Sequence, residues 1–150
     1  MQIRLGNRQD EPAIITLVCD VMNEFGLVPK MDGAEADLKN IDANYFACDG
    51  LFLVVEIEGK IVGIAGAHKS SENVLELVRF AVVKSARNKG YAHLLLNTIL
   101  SFAQDLDYQR IEVEPARQYP GGTATLMKMG FTSDSNAEDA QQVWYYPVAQ

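Results

Sequence analysis

Apolar and polar positions along this chain recur with two different periods, and the switches between them outline its elements. Gln2-Ile3-Arg4-Leu5 alternates as a short strand. Ile14, Ile15, Leu17, Val18 and Val21 then recur at helical spacing. The pattern predicts a helix capped at Asp10, with Glu11 and Pro12 in its first turn, running to about Phe25 and stopped by Gly26. Residues 29–33 break the pattern. A second helix is expected over Ala34–Ala47, with Leu38, Ile41, Tyr45 and Phe46 on its apolar face.

The centre of the chain is β-like. Leu51–Ile57 reads as a strand, Glu58-Gly59-Lys60 as a tight connection, and Ile61–Ala67 as the antiparallel return. Ser70–Asn73 turns into a third strand, Val74–Val83. An apolar helix from Tyr91 to about Leu106 follows, then a strand at Arg110–Glu114. That strand is expected to run parallel to Val74–Val83 across a right-handed crossover. Residues 115–122 are rich in turn formers, a short helix is expected from Thr123 to Met129, and Gly130-Phe131 ends it. Residues 132–141 read as a polar loop and Val143–Val148 as a final strand. The fold class is mixed α/β.

Composition narrows the picture. At 150 residues the chain is expected to be one domain, 1–150, burying about 68–70% of its unfolded surface. It is 48% hydrophobic and 22% charged, as in ordinary soluble domains. No apolar run approaches the roughly 18 residues of a membrane span, and Met1-Gln2-Ile3-Arg4 does not open a signal peptide, so no membrane contact and a cytoplasmic location are expected. A net charge of −7 argues against nucleic acid and mildly favours a cationic partner such as an amine. Cys19 and Cys48 form no CxxC pair and are expected as buried free thiols. His68 and His93 are too few for a metal site and read as packing or surface residues.

Between the third strand and the following helix lies Arg87-Asn88-Lys89-Gly90-Tyr91-Ala92. Gly90 lets backbone approach a ligand closely, and small Ala92 keeps the first helical turn uncluttered. A helix N-terminus offers unpaired donors and a positive dipole end, which suits a pyrophosphate. The side chains of Arg87 and Lys89 could add charge.

This stretch resembles the acyl-CoA-binding signature of the GNAT superfamily of N-acetyltransferases, Gln/Arg-x-x-Gly-x-Gly/Ala. Its strand-before, helix-after placement and the downstream Lys128-Met129-Gly130-Phe131 fit that pattern, and the resemblance is firmest from about Leu51 to Phe131. It implies a central, mostly antiparallel sheet with flanking helices, in which two parallel strands splay to leave a slot. It further implies acetyl-CoA as cofactor. Backbone groups at Phe80 and Val82 would pair with the pantetheine arm, and the N–H groups of Asn88, Lys89, Gly90, Tyr91 and Ala92 would take the pyrophosphate.

Acetyl transfer to an amine also needs a base. Glu76 is a carboxylate inside an otherwise apolar strand, six residues before Val82, and burial would raise its pKa towards neutral. Glu76-Leu77-Val78-Arg79-Phe80-Ala81-Val82 resembles the histone-acetylating branch of the family, where a glutamate at this spacing is the base. The other reading of Glu76 is a structural ion pair with a neighbour such as Arg79. Glu112 and Glu114 share a strand face and either attract a cationic acceptor or are simply solvated; Glu24 lies where, by the resemblance, the first two helices wall the acceptor pocket, and a solvated position is its other reading.

One departure stands out. The tyrosine that serves many relatives as general acid, five residues before the Phe, is Leu126 here, and the asparagine expected seven residues earlier falls on Tyr119. A thiolate with a pKa of about 8.5 needs little help to leave, and water, Tyr119 or Tyr91 are the remaining proton sources. The expectation is therefore an acetyl-CoA-dependent N-acetyltransferase in which Glu76 deprotonates a primary amine of a small molecule or peptide for direct attack. A non-catalytic acyl-CoA-binding domain on the same fold is the alternative. No nucleotide-binding glycine motif is present. Tyr45, Phe46, Trp144, Tyr145 and Tyr146 are candidates to line the acceptor pocket, and the edge of the final strand could pair two copies into a homodimer.

Overall fold

In the computed structural model, which describes residues 1–113, 122–133 and 143–148, a seven-stranded sheet separates two layers of helix. Its strands are β1 (Gln2–Leu5), β2 (Leu51–Ile57), β3 (Lys60–Ser71), β4 (Val74–Val82), β5 (Arg110–Val113), β6 (Thr132–Ser133) and β7 (Trp144–Pro147). The order is β1-β2-β3-β4-β5-β7-β6, antiparallel throughout except for β4 against β5. This is the expected mixed, mostly antiparallel arrangement with one parallel pair.

Two cores follow from the alternation of side chains across the strands. On one face, Leu53, Val55, Ala65, Leu75, Leu77 and Ile111 pack against Leu95, Leu96 and Ile99 of α3 (Tyr91–Asp105) and against Leu126 of α4 (Gly122–Lys128). On the other, Phe52, Val54, Ile64, Val78 and Ala81 pack against Ile14, Leu17, Val18 and Val21 of α1 (Glu11–Glu24) and against Ile41 of α2 (Ile41–Asn44). Pro12 sits at the start of α1, where its missing N–H costs nothing.

The expected second helix is not continuous. Residues 34–47 fold instead as a 3₁₀ turn (Ala36–Lys39), the four-residue α2 and a second 3₁₀ turn (Phe46–Cys48). Asn40 is the cause: its backbone is extended (φ −156°), and its side chain accepts the Ala43 N–H, capping a new helix rather than continuing the old one. The loop expected over 132–141 begins with β6; residues 134–141 lie outside the described residues, as do Glu114 and Tyr119. The final strand is not a sheet edge, because β6 covers Trp144 and Tyr145 on its outer side. Neither cysteine is buried: Cys19 is half-buried and Cys48 exposed.

Two irregularities shape the centre of the sheet. A bulge leaves Val78 unpaired, since Gly66 opposes Arg79 while Ala67 opposes Leu77. The bulge reverses the alternation of β4. Leu75 and Leu77 face α3 before it, and Phe80 and Val82 face α3 after it. Glu76 and Arg79 therefore share the α1–α2 face, although an unbroken strand would put Glu76 with Phe80 and Val82. The second irregularity is the parallel pair itself, which holds register only from Val74–Arg110 to Glu76–Glu112. Beyond Glu76, β4 continues to Val82 without a β5 partner.

Candidate active site

The gap beyond Glu76 exposes a particular set of backbone groups. Val83 N–H donates to the Val62 carbonyl at 2.9 Å, so Val83 and Ala81 direct their polar groups at β3. In an antiparallel ladder alternate residues face opposite sides. Phe80 and Val82 thus turn theirs towards the gap, as expected. The Val82 carbonyl there accepts from Arg87 Nε at 2.9 Å.

At the end of the gap stands the N-terminus of α3. Gly90 caps it at φ +88° with no side chain bonded to the first turn, and Leu94 N–H is bonded to the Gly90 carbonyl. The N–H groups of Tyr91, Ala92 and His93 precede that first helical bond and have no intrahelical acceptor. Asn88 is also left-handed, at φ +63°. A Cβ placed on Gly90 would meet nothing within 4 Å, so the space before the helix end is open. Donors, a positive dipole end and open space fit a phosphate group.

Arg87 is placed differently from the free charge expected over that end. Its guanidinium makes a two-pronged bridge to Glu24 at 2.6 and 2.8 Å and lies 5.8 Å from the Phe25 ring centroid. The hydrogen bonds from Arg87 hold the Glu24 carboxyl below its usual pKa. Glu24 is thus the staple that ties the end of α1 to the signature loop.

Glu76 sits on β4 at the point where the strands part, its side chain 15% exposed. Across β3 it faces His68, with Nε2 3.7 Å from Oε1, and in the parallel direction its register partner is Glu112. His68 is partly exposed, with the Tyr45 ring 6.1 Å away. Glu112 in turn pairs with Arg110 at 3.0 Å, and Arg110 lies 3.8 Å over the Tyr145 ring. His68, Glu76, Glu112 and Tyr145 form one row across the α1–α2 face of the sheet.

Arg79, the other candidate partner of Glu76, is 5% exposed and bound elsewhere. It donates to Asp37 at 2.6 and 3.1 Å and to the Ala34 carbonyl at 3.0 Å, with Glu35 3.8 Å away. Burial pulls its pKa down, but the hydrogen bonds and charge of Asp37 more than offset this, so the guanidinium stays charged. Tyr45 also donates to Asp37; burial, then the Asp37 charge, pushes its phenol above the usual range. This network pins residues 34–45 over the face that carries Glu76.

Of the aromatic candidates for an acceptor pocket, Tyr45 is fully buried and Trp144 is core. Tyr146 packs on Phe131, with ring centroids 5.5 Å apart. Tyr145 alone belongs to the row beside Glu76. Leu126 is buried in the α3-side core, as its side chain requires. The contacts of His68, Arg79 and Glu24 were not read from sequence, and none had a signal there. Register counted back from Ser71 against Val74 would set His68 against Leu77; a second shift, between Lys69 and Ser71, brings it to Glu76 instead.

The acetyltransferase (GNAT) family model matches residues 16–131, and the chain belongs to that family. It is 31% identical over 100 residues to N-acetyltransferase 8F1 of Rattus norvegicus, covering 63% of this chain and 45% of that protein. The chain thus spans less than half the length of that relative. Among solved structures, a GNAT-family acetyltransferase from Staphylococcus aureus superposes with TM-score 0.86 at 20% identity over 99% of both chains. The PaiA N-acetyltransferase of Thermoplasma acidophilum, in complex with coenzyme A, superposes with TM-score 0.77 at 15% identity, over 97% of this chain and 98% of that one.

Proposed function

We propose that this chain is an acetyl-CoA-dependent N-acetyltransferase that moves an acetyl group to a primary amine, with Glu76 as the general base. The observation that carries the reading is the continuity of three features: the β4 edge that has no β5 partner at Phe80 and Val82, the uncapped start of α3 at Gly90–Ala92, and Glu76 at the mouth of the gap. On this reading the backbone of Phe80 and Val82 holds the pantetheine arm. The N–H groups of Asn88, Lys89, Gly90, Tyr91 and Ala92 hold the pyrophosphate, with Lys89 supplying charge. Family membership supports acetyl-CoA as the donor, as does the coenzyme A bound in the PaiA relative.

The acceptor enters from the α1–α2 face, where Glu76 and Glu112 place carboxylates side by side. Glu76 takes a proton from the ammonium, and the free amine attacks the thioester carbonyl carbon directly. Backbone N–H groups along the gap stabilise the developing oxyanion. The carbon–sulfur bond then breaks, and the second amine proton balances the departing thiolate. The Leu126 side chain cannot relay that proton, which leaves water, Tyr119 or Tyr91 to carry it.

Leu126 also supports a second reading, a domain that binds acyl-CoA without turnover. Thiol release from acetyl-CoA against a panel of small amines and peptide N-termini separates the two. Amine-dependent release supports the enzyme. Acetyl-CoA binding with no release across the panel supports the binding domain.

A further inference from the structure

We infer that His68 is the next proton acceptor behind Glu76, so that the amine's proton leaves the site through a carboxylate–imidazole pair rather than from Glu76 alone. This rests on the proposed acetyl transfer. His68 acts through Glu76 and does not touch the acceptor.

The ring's orientation carries the argument. His68 Nδ1 lies 3.1 Å from the Lys69 carbonyl oxygen. A carbonyl only accepts, so this contact places a proton on Nδ1. In the neutral form of the ring Nε2 is then the lone-pair nitrogen, and it lies 3.7 Å from Glu76 Oε1. When Glu76 is ionised, two acceptors face each other. When Glu76 has taken a proton from the amine, a donor faces an acceptor. The arrangement thus favours the moment at which Glu76 is loaded, and a small side-chain shift or one bridging water completes the transfer.

Exposure sets the direction. The Glu76 side chain is 15% exposed and that of His68 31%, so the imidazole is the more open of the two to solvent. The groups around the pair suit that role. The Tyr45 ring lies 6.1 Å from the imidazole, and Tyr45 itself is held by Asp37. Arg79, on the same face past the bulge, is bound to Asp37, and Lys69 pairs with Glu72 at 3.3 Å. Glu112, at the next register position, is paired with Arg110 at 3.0 Å.

The protons balance as follows. The ammonium N–H bond breaks and Glu76 gains an O–H bond. That proton passes to His68 Nε2, giving an imidazolium with Glu76 ionised again, and the imidazolium then releases one proton to water. The second amine proton accompanies the thiolate, so each turnover frees one proton from the ammonium to solvent.

The test compares the native chain with His68→Ala, His68→Asn and Glu76→Gln, using an accepted amine and acetyl-CoA, with and without added imidazole. Asparagine preserves a donor for the Lys69 carbonyl but has no second nitrogen facing Glu76. Both His68 variants are expected to lose kcat roughly 10- to 100-fold with acetyl-CoA affinity unchanged. Imidazole is expected to restore much of the rate to His68→Ala and none to Glu76→Gln. Native kcat in His68→Asn, or a His68→Ala loss that imidazole does not rescue, overturns the relay while leaving acetyl transfer standing. Should His68→Ala not fold, His68→Asn alone decides, by its kcat. Native rate in Glu76→Gln overturns the base assignment and the relay together, and no turnover by the native chain overturns the parent activity.

Discussion

Asp37→Ala removes the centre of the most enclosed charged network in the described residues. Arg79 is 5% exposed and would lose two charge-assisted hydrogen bonds, at 2.6 and 3.1 Å, while the buried Tyr45 hydroxyl would lose its acceptor. Breaking one partner of a buried pair costs about 3–5 kcal/mol, because the remaining charge stays desolvated. Here Glu35 at 3.8 Å and the Ala34 carbonyl at 3.0 Å remain, which places the loss at the lower end, about 3 kcal/mol. For a domain of this size that is a fall in Tm of roughly 6–12 °C. Urea unfolding followed by the fluorescence of Trp144, the chain's single tryptophan, reads it directly. Asp37→Asn, which keeps an acceptor oxygen, is expected to lose less. A loss under about 1 kcal/mol in Asp37→Ala would refute the argument that Arg79 depends on this carboxylate. Because the network holds residues 34–45 on the sheet face that carries Glu76 and not on the α3 face, the acceptor KM should rise while acetyl-CoA affinity is kept.

Three further outcomes follow from other parts of the structure. Hydrogen bonds from Arg4 hold the Asp10 carboxyl below its usual pKa, with burial opposing and the Asn7 N–H assisting. A depressed pKa in the folded state gives stability that is fully present above the ordinary aspartate value of about 3.9 and is lost as pH falls through the lower folded value. Asp10→Asn should flatten that acid limb of the urea midpoint against pH. In Gly66→Ala the new Cβ would lie 2.7 Å from Phe52 Cδ2 and 3.0 Å from Tyr45 Cε1, both rings fully buried, so thermal unfolding should show a loss of about 1–3 kcal/mol. Gly90→Val forces a β-branched residue to φ +88° at the start of α3, a strain of about 1–3 kcal/mol that should appear as weaker acetyl-CoA binding by calorimetry.

The elements that are legible in the sequence are those set by local pattern. The β2–β4 meander, α3 and the loop at Arg87–Ala92 announce themselves through apolar periodicity and a single glycine, and the structure places them within a few residues of expectation. The rest depends on register and on contacts between distant segments. Asn40 breaks a helix whose apolar spacing is sound, because its side chain competes for the Ala43 N–H. The bulge at Val78 re-aims Glu76 away from Phe80 and Val82, and no local pattern marks where an extra residue enters a ladder. Arg79 reaches Asp37 across 42 positions and Arg87 reaches Glu24 across 63, so neither pairing has a sequence signature. The loop at Arg87–Ala92 and its helix were therefore legible from local pattern, while Glu76, Glu112 and Tyr145 could be named from sequence but not set in one row, which register alone does.

The most direct test of the account is thiol release by the native chain and Glu76→Gln side by side, with acetyl-CoA affinity measured for both. The account predicts amine-dependent release by the native chain and its collapse by about 100-fold or more in Glu76→Gln, with acetyl-CoA bound equally well. Undiminished release by Glu76→Gln would contradict it.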